Sequence, residues 1–274
     1  MDFFKMHGCG NDYVFLNCLE QVPSNLPALA KKLSDRHYGI GGDGIVLIEP
    51  SRFADFFMRI FNADGSEGKM CGNAIRCLAR YVYEHHLSEK TDLTIDTRSG
   101  IRKTHLILPT QSSDYQVTVE MGHPSFLASH IPMITSHPTF LNETIYVSGT
   151  AYRASAISIG NPHLVIRGGK INELGPALSQ SEQFPEGVNI SCVEVENATT
   201  IHASIWERGS KATMSCGTAA CACLLACYLC GLTKKEASVI QPGGTLRVRY
   251  DEGTQSLFLT GEAVYVYSGT ISLS

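Results

Sequence analysis

The sequence predicts an α/β chain built as two similar halves, each with one buried helix wrapped by curled sheet. Three observations predict it. Met70-Cys71-Gly72-Asn73-Ala74 is echoed by Ser215-Cys216-Gly217-Thr218-Ala219, and each stretch opens a helix-like run, with the two cysteines 145 positions apart. At the same offset Ile60-Phe61-Asn62 lies over Ile205-Trp206-Glu207, and Ile95 and Ile101 lie over Ile240 and Leu246; slightly out of register, Gly10-Asn11 matches Gly160-Asn161. Strand-like alternation recurs many times along the chain, and helical spacing only a few. An internal duplication of this kind, with its halves packed about a pseudo-twofold axis, would bring the two cysteines face to face.

The elements follow in order. Residues 3–18 alternate around His7-Gly8-Cys9-Gly10-Asn11-Asp12 and predict a strand, a tight Gly-rich loop and a second strand. Residues 27–37 carry helical spacing, with Leu29, Ala30 and Leu33 on one face and Tyr38-Gly39 closing it. Gly39 to Gly44 is a glycine-rich loop, and without a following Gly-Lys-Ser/Thr it is not a phosphate loop. Strands are expected at 44–48 and 55–62, then a loop to Met70 and a helix with Ala74, Ile75, Leu78 and Val82 inward, ending near His86. Strands return at 93–96, 101–108 and 115–121. The proline-bearing stretch 122–142 reads as part of the passage between halves. Strands at 143–148, 151–159 and 163–167 precede a helix near 171–183, and strands from 188 and over 200–207 precede the second cysteine helix. That helix is apolar on nearly every side, which marks a buried helix, and Gly231 is its expected cap. The remaining C-terminal chain is strand, ending at Val264-Tyr265-Val266-Tyr267.

Composition excludes several classes of function. A net charge of −4 leaves no electrostatic footprint for nucleic acid or an anionic membrane. The N-terminus lacks the basic start and apolar run of a signal peptide, and the longest apolar run, about 15 residues, is too short to span a bilayer. There are ten cysteines, four of them crowded into 221–230, a pattern that fits reduced thiols in the cytoplasm better than a disulfide framework. Cys223, Cys227 and Cys230 share one helical face without histidine partners, which does not match a zinc site, so no metal is expected. Nucleotide and pyridoxal phosphate signatures are missing, and no cofactor is expected.

The cysteines carry the chemistry. A helix's first turn has unpaired N–H groups and partial positive charge, which stabilise a thiolate and bind a carboxylate or phosphate. Gly72 and Gly217 leave that approach open. A lone cysteine is ordinarily a small buried hydrophobe; the same Cys-Gly context once per half points instead to two acid/base groups. Stereoinversion by proton transfer requires two such groups on opposite faces of one carbon. Asn11, Asn62, Asn161 and Asn189 sit at strand ends or loops, where a turn role competes with binding a substrate that carries amino and carboxylate groups. Arg208 could clamp a carboxylate and Glu207 an ammonium, or the pair could be an exposed strand end. His163 would otherwise be a structural hydrogen-bonder.

Taken together, these motifs resemble the diaminopimelate epimerase family over essentially the whole chain. The resemblance rests on Phe4-Lys5-Met6-His7-Gly8-Cys9-Gly10-Asn11-Asp12, Phe61-Asn62-Ala63-Asp64-Gly65-Ser66 and Met70-Cys71-Gly72-Asn73 with Arg76-Cys77. It continues through Gly160-Asn161-Pro162-His163, Gly187-Val188-Asn189 and Trp206-Glu207-Arg208-Gly209 with Cys216-Gly217-Thr218. It implies two halves, each a barrel-like, mostly antiparallel sheet around a central helix: 1–116, completed by 262–274, and 117–261, with the site in the cleft between them. It further implies cofactor-independent epimerisation of LL-diaminopimelate to the meso form, with Cys71 and Cys216 as acid/base residues. The backbone of Gly72, Asn73, Gly217 and Thr218 would bind the reacting carboxylate. Asn11, Asn62, Asn161, Asn189, Glu207 and Arg208 would hold the rest of the substrate, with His163 and Glu207 assisting the thiols. The implied partner is the amino acid alone, with a homodimer compatible.

The chain departs from the family pattern at a few places. Gly44 stands for a usual Gln, Tyr13 for Phe, and Ala74, Lys211 and Ala219 for Gly. Gly44 removes a polar side chain near the substrate loop, which implies looser substrate choice. Two other readings share the motifs: a racemase of another amino acid, of glutamate or proline type, and a thiol redox protein. A redox protein would usually place its pair as Cys-x-x-Cys.

Overall fold

The computed structural model describes residues 1–110 and 114–272. The chain divides into two compact units, Met1–Glu120 with Thr260–Ser274, and Met121–Leu259. Of the segment expected to complete the first half, 273–274 lie outside the described residues.

The first unit opens with an antiparallel hairpin of β1 (Asp2–Gly8) and β2 (Asn11–Asn17). Its two-residue turn places Cys9 at φ 52° and Gly10 at φ 77°, the pair of positive angles that suits the twist of a tight hairpin. Helix α1 (Leu26–Ser34) starts at Asn25, whose side chain accepts from the Ala28 N–H, and buries Leu26, Leu29, Ala30 and Leu33. It stops three residues before the expected end because the Asp35 carboxylate accepts from the N–H groups of His37 and Tyr38 at 2.7 and 2.8 Å, a turn that competes with helix. Strand β3 (Gly44–Glu49) runs parallel to β2, and β4 (Phe56–Asn62) returns antiparallel to β3. The short β5 (Glu67–Gly68) leads into α2 (Gly72–Glu84), followed by β6 (Asp92–Asp96) parallel to β4, then the antiparallel β7 (Arg102–Ile107) and β8 (Gln116–Gly122).

The second unit repeats this plan. After the hairpin of β9 (Glu143–Val147) and β10 (Thr150–Ser158), β11 (Pro162–Arg167) pairs antiparallel with β10. Helix α3 (Ile171–Leu178) is shorter than the expected 171–183: the Val188 N–H takes the Ser179 carbonyl, the acceptor a continuing helix would need. Strand β12 (Asn189–Asn197) runs parallel to β11, β13 (Thr200–Glu207) antiparallel to β12, and the short β14 (Lys211–Thr213) precedes α4 (Gly217–Leu229). Strand β15 (Glu236–Gln241) is parallel to β13, and β16 (Gly244–Asp251) is antiparallel to β15; β17 (Ser256–Glu262) leads back towards the first unit. There β18 (Val264–Thr270) pairs antiparallel with β1.

The sheet dominates and the helices are few, as the sequence predicts. Helix α4 touches β10, β11, β12, β13, β15 and β16, and its residues Ala219 to Cys227 are buried. Helix α2 packs on β1, β2 and β7 and buries Ala74, Ile75, Leu78 and Val82. The two helices even end alike. Gly231 (φ 70°) donates its N–H to the Tyr228 carbonyl while Leu232 donates to Cys227. At the corresponding place His86 (φ 55°) donates to Tyr83 and Leu87 to Val82. Both are left-handed caps that satisfy the last carbonyls. Lys211, where the family usually has Gly, also holds a positive φ of 61°. Among the described residues, no helix is long and apolar enough to cross a membrane.

Candidate active site

In the first unit Cys71 is the N-cap of α2, with extended backbone (φ −135°, ψ 122°), and its sulfur caps no backbone N–H of the helix. Its carbonyl accepts from the Ile75 N–H, so the turn begun by Gly72 and Asn73 keeps the amide groups that helix geometry leaves without an internal partner. The Cys71 thiol donates to Asn11 Oδ1 at 3.4 Å, and Asn73 Nδ2 donates to the same oxygen at 3.0 Å.

Asn11 is fixed from its other end. Its Nδ2 donates to Asp43 Oδ2 at 2.7 Å and to the Tyr13 hydroxyl at 3.5 Å. Asp43 also accepts from the Asp12 N–H and pairs with Arg36 at 3.0 Å, while Asp12 pairs with Lys5 at 2.6 Å and Arg36 at 2.7 Å. Burial raises the Asp12 carboxyl, but the bonds to Arg36 and Lys5 outweigh it and hold the group below its ordinary value. Behind the helix start, the fully buried Arg76 donates to the Gly72 carbonyl at 3.0 Å and to Asn73 Oδ1 at 2.9 Å.

Asn62 stands apart from this network. It is exposed at the end of β4, and its side chain donates to Ser66 Oγ at 3.0 Å. Gly44 is opposite it in the ladder. A Cβ on Gly44 would lie 2.2 Å from the Phe61 carbonyl oxygen, a backbone atom that cannot yield cheaply. The expectation that a side chain has simply been removed there is therefore corrected: β4 fills the place where it would start.

In the second unit Cys216 is the N-cap of α4, again extended (φ −138°, ψ 117°), and its sulfur caps no backbone N–H of the helix. Gln241 from β15 clamps its backbone, accepting from the Cys216 N–H at 2.9 Å and donating to its carbonyl at 3.1 Å. The sulfur lies 3.4 Å from Thr218 Oγ1, and Asn161 Nδ2 donates to that hydroxyl at 3.3 Å. His163 Nε2 meets Asn161 Oδ1 at 3.0 Å. Burial and then the nearby Arg208 charge depress the His163 pKa to about 3, so the ring is neutral at pH 7.

Asn189 Nδ2 donates to the Pro162 carbonyl at 2.8 Å, and its Oδ1 accepts from the Arg208 N–H at 3.0 Å. The exposed Arg208 side chain passes over Gly187 and donates to the Glu186 carbonyl at 3.0 Å. Glu207, half-buried, ends β13 opposite Lys211. The duplication thus reaches the polar contacts. Cysteine, a residue two further on (Asn73 or Thr218) and an asparagine at the entry to the second strand of an antiparallel pair (Asn11, first residue of β2, or Asn161, just before β11) recur together in each unit. Sequence reasoning missed Asp43, Arg76 and Gln241 as supports. Asp43 alone left a signal, as the one side chain between glycines in the Gly41–Gly44 loop.

The other thiols are of a different kind. Burial pushes Cys77 and Cys221 up to about 12 and Cys223 higher still, which leaves them inert packing groups.

Known proteins place this arrangement. The family model for diaminopimelate epimerase matches residues 3–127 and 155–266. A diaminopimelate epimerase from Acetivibrio thermocellus is 40% identical over 279 residues, covering 100% of this chain and 99% of that protein. One from Desulfovibrio desulfuricans is 41% identical over 278 residues, covering 97% and 96%. Among solved structures, the PhzF-family phenazine biosynthesis protein of Bacillus anthracis shares the fold at a TM-score of 0.69 and 18% identity, covering 100% of this chain and 99% of that one.

Proposed function

Because the chain belongs to the diaminopimelate epimerase family, we infer that it inverts one α-carbon of LL-diaminopimelate to give the meso isomer by proton transfer between Cys71 and Cys216. It is an isomerase of the pyridoxal phosphate-independent kind. One cysteine, as thiolate, takes the α-proton; the other, as thiol, delivers a proton to the opposite face of the same carbon, and the reverse reaction exchanges the roles.

The observation that carries this reading is the cysteine at the N-cap of each central helix, with its sulfur beside a polar side chain, Asn11 at Cys71 and Thr218 at Cys216. A proton beside a carboxylate is a weak acid. Its removal is helped by donors aimed at the charge that develops on the carboxylate. The first-turn amides of Gly72, Asn73, Gly217 and Thr218 supply such donors. Asn11, Asn161 and Asn189, held by the bonds described above, then orient the substrate, and Asn62, Glu207 and Arg208 meet its distal amino-acid end. Glu207 and Arg208 together suit a second zwitterionic group better than a short apolar amino acid, which favours diaminopimelate over proline. His163, neutral and bonded to Asn161, supports the Cys216 side by positioning. Thiols that must stay reduced suit the cytoplasm. The substrate is the only partner the reaction needs, and a homodimer is compatible with it.

The test is cofactor-free loss of α-deuterium from labelled LL-diaminopimelate in reductant. Cys71→Ala and Cys216→Ala are each expected to abolish epimerisation, and Cys223→Ala to leave it intact. Near wild-type turnover in either of the first two would refute the two-base assignment.

A further inference from the structure

Gln241 reaches Cys216 from outside the cysteine helix. Met214 to Cys216 connect β14 to α4 and lie in no strand, yet Cys216 keeps extended backbone. A buried extended residue needs partners for its N–H and its carbonyl. The turn that joins β15 to β16 supplies them. Gln241, the last residue of β15, is buried. Its Oε1 accepts from the Cys216 N–H at 2.9 Å, and its Nε2 donates to the Cys216 carbonyl at 3.1 Å. Two residues on, the Gly243 N–H donates to the Met214 carbonyl at 2.8 Å.

We propose that Gln241 is a positioning residue: its side-chain amide takes the place of a neighbouring strand and holds Cys216 in the extended conformation that sets the sulfur at the start of α4. The use of that sulfur rests on the epimerase reading, but the pairing itself is independent of any substrate.

A primary amide carries the donor and the acceptor of a peptide group. Exchanged with a single residue, they reproduce the paired bonds by which two antiparallel strands hold each other. The orientation of the amide is forced, because only its oxygen can accept from an N–H. The Cys216 carbonyl also accepts the first bond of α4, from the Ala220 N–H at 3.0 Å. Gln241 therefore holds the group on which the helix begins, and with it the placement of the first-turn amides of Gly217 and Thr218. The Cys216 N–H is committed to Gln241, which leaves the amides that follow it for a substrate carboxylate. The 3.4 Å approach of the Cys216 sulfur to Thr218 Oγ1 spans the same junction between the residue before the helix and its first turn.

Gln241→Met keeps the length of the side chain and removes both bonds. Cys71 and Cys216 are alkylated with iodoacetamide across a range of pH in wild type and variant, with each site read by peptide mass spectrometry and folding checked by thermal melting. The Cys216 midpoint is expected to rise by about half a pH unit, as a frayed first turn loses its hold on the thiolate, with the Cys71 midpoint unmoved. Turnover of diaminopimelate should fall roughly tenfold through kcat as the sulfur leaves its place, with KM nearly constant. Gln241→Glu is the rescue, and it decides the matter if Gln241→Met does not fold. A neutral carboxylic acid accepts from the N–H and donates to the carbonyl as the amide does, whereas a carboxylate only accepts. Burial favours the neutral acid. The kcat of Gln241→Glu, taken as a ratio to wild type at each pH, should therefore climb towards wild type as pH falls from about 9 to about 6. An unchanged Cys216 midpoint in Gln241→Met, equal movement of both cysteines, or a Gln241→Glu ratio that does not respond to pH overturns the proposal. The midpoints are read without substrate, so their failure is distinguishable from failure of the epimerase reading, which the cysteine variants decide.

Discussion

Acidification should weaken this fold through His163, by an amount that follows from its surroundings. The ring is fully buried, with Nε2 bonded to Asn161 and Nδ1 without a hydrogen-bond partner among the described residues. Burial, and then Arg208, lower its pKa from 6.5 to about 3. A histidine depressed in the native state takes up its proton more readily in the unfolded chain. Its contribution to stability is thus complete above the unfolded value and declines as pH falls from 6.5 towards about 3. Between pH 7 and pH 5 that difference amounts to about 2 kcal/mol. The perturbation is His163→Gln, which keeps a donor for Asn161 and cannot titrate. Urea unfolding of both proteins at the two pH values gives the assay: wild type should lose about 2 kcal/mol more than the variant on acidification. Parallel losses would refute the buried neutral histidine. The same argument bears on catalysis. A ring that is neutral throughout this range cannot supply the acid limb of the activity profile, so His163→Gln should change the rate without moving that limb.

Two further outcomes follow from contacts already described. His86 adopts the left-handed cap conformation that Gly231 adopts at the end of α4, so His86→Gly should raise unfolding stability by about 1 kcal/mol; no gain in urea denaturation would contradict the cap. Asp43 fixes Asn11 through a 2.7 Å bond, so Asp43→Ala should lower kcat/KM for diaminopimelate by roughly tenfold or more with little change in melting temperature, and unaltered kinetics would show that Asn11 needs no such support.

How far the molecule could be read from its residues depended on the range of the forces involved. The two central helices were legible because their apolar residues are spaced by local geometry and because the Cys-Gly start is repeated. Both run over matching positions, Gly72–Glu84 and Gly217–Leu229. Most strands were legible from alternation, whereas β5 and β14, of two and three residues, are too short to show a period. The early end of α1 was hidden in one side chain, since Asp35 competes for the N–H groups of His37 and Tyr38. The supports of the cysteines were hidden more deeply. Gln241 reaches the Cys216 backbone only because β15 lies beside β13, and Asp43 reaches Asn11 only because β3 lies beside β2. These contacts are products of strand pairing, which no local pattern records. Tyr13 shows the same limit from the other side. In the sequence it is one hydroxyl added to a ring the family usually carries, and only the fold brings that hydroxyl to Asn11. The chemistry was therefore legible in the residues that act, while the groups that set how readily each one acts had to be found in the folded chain.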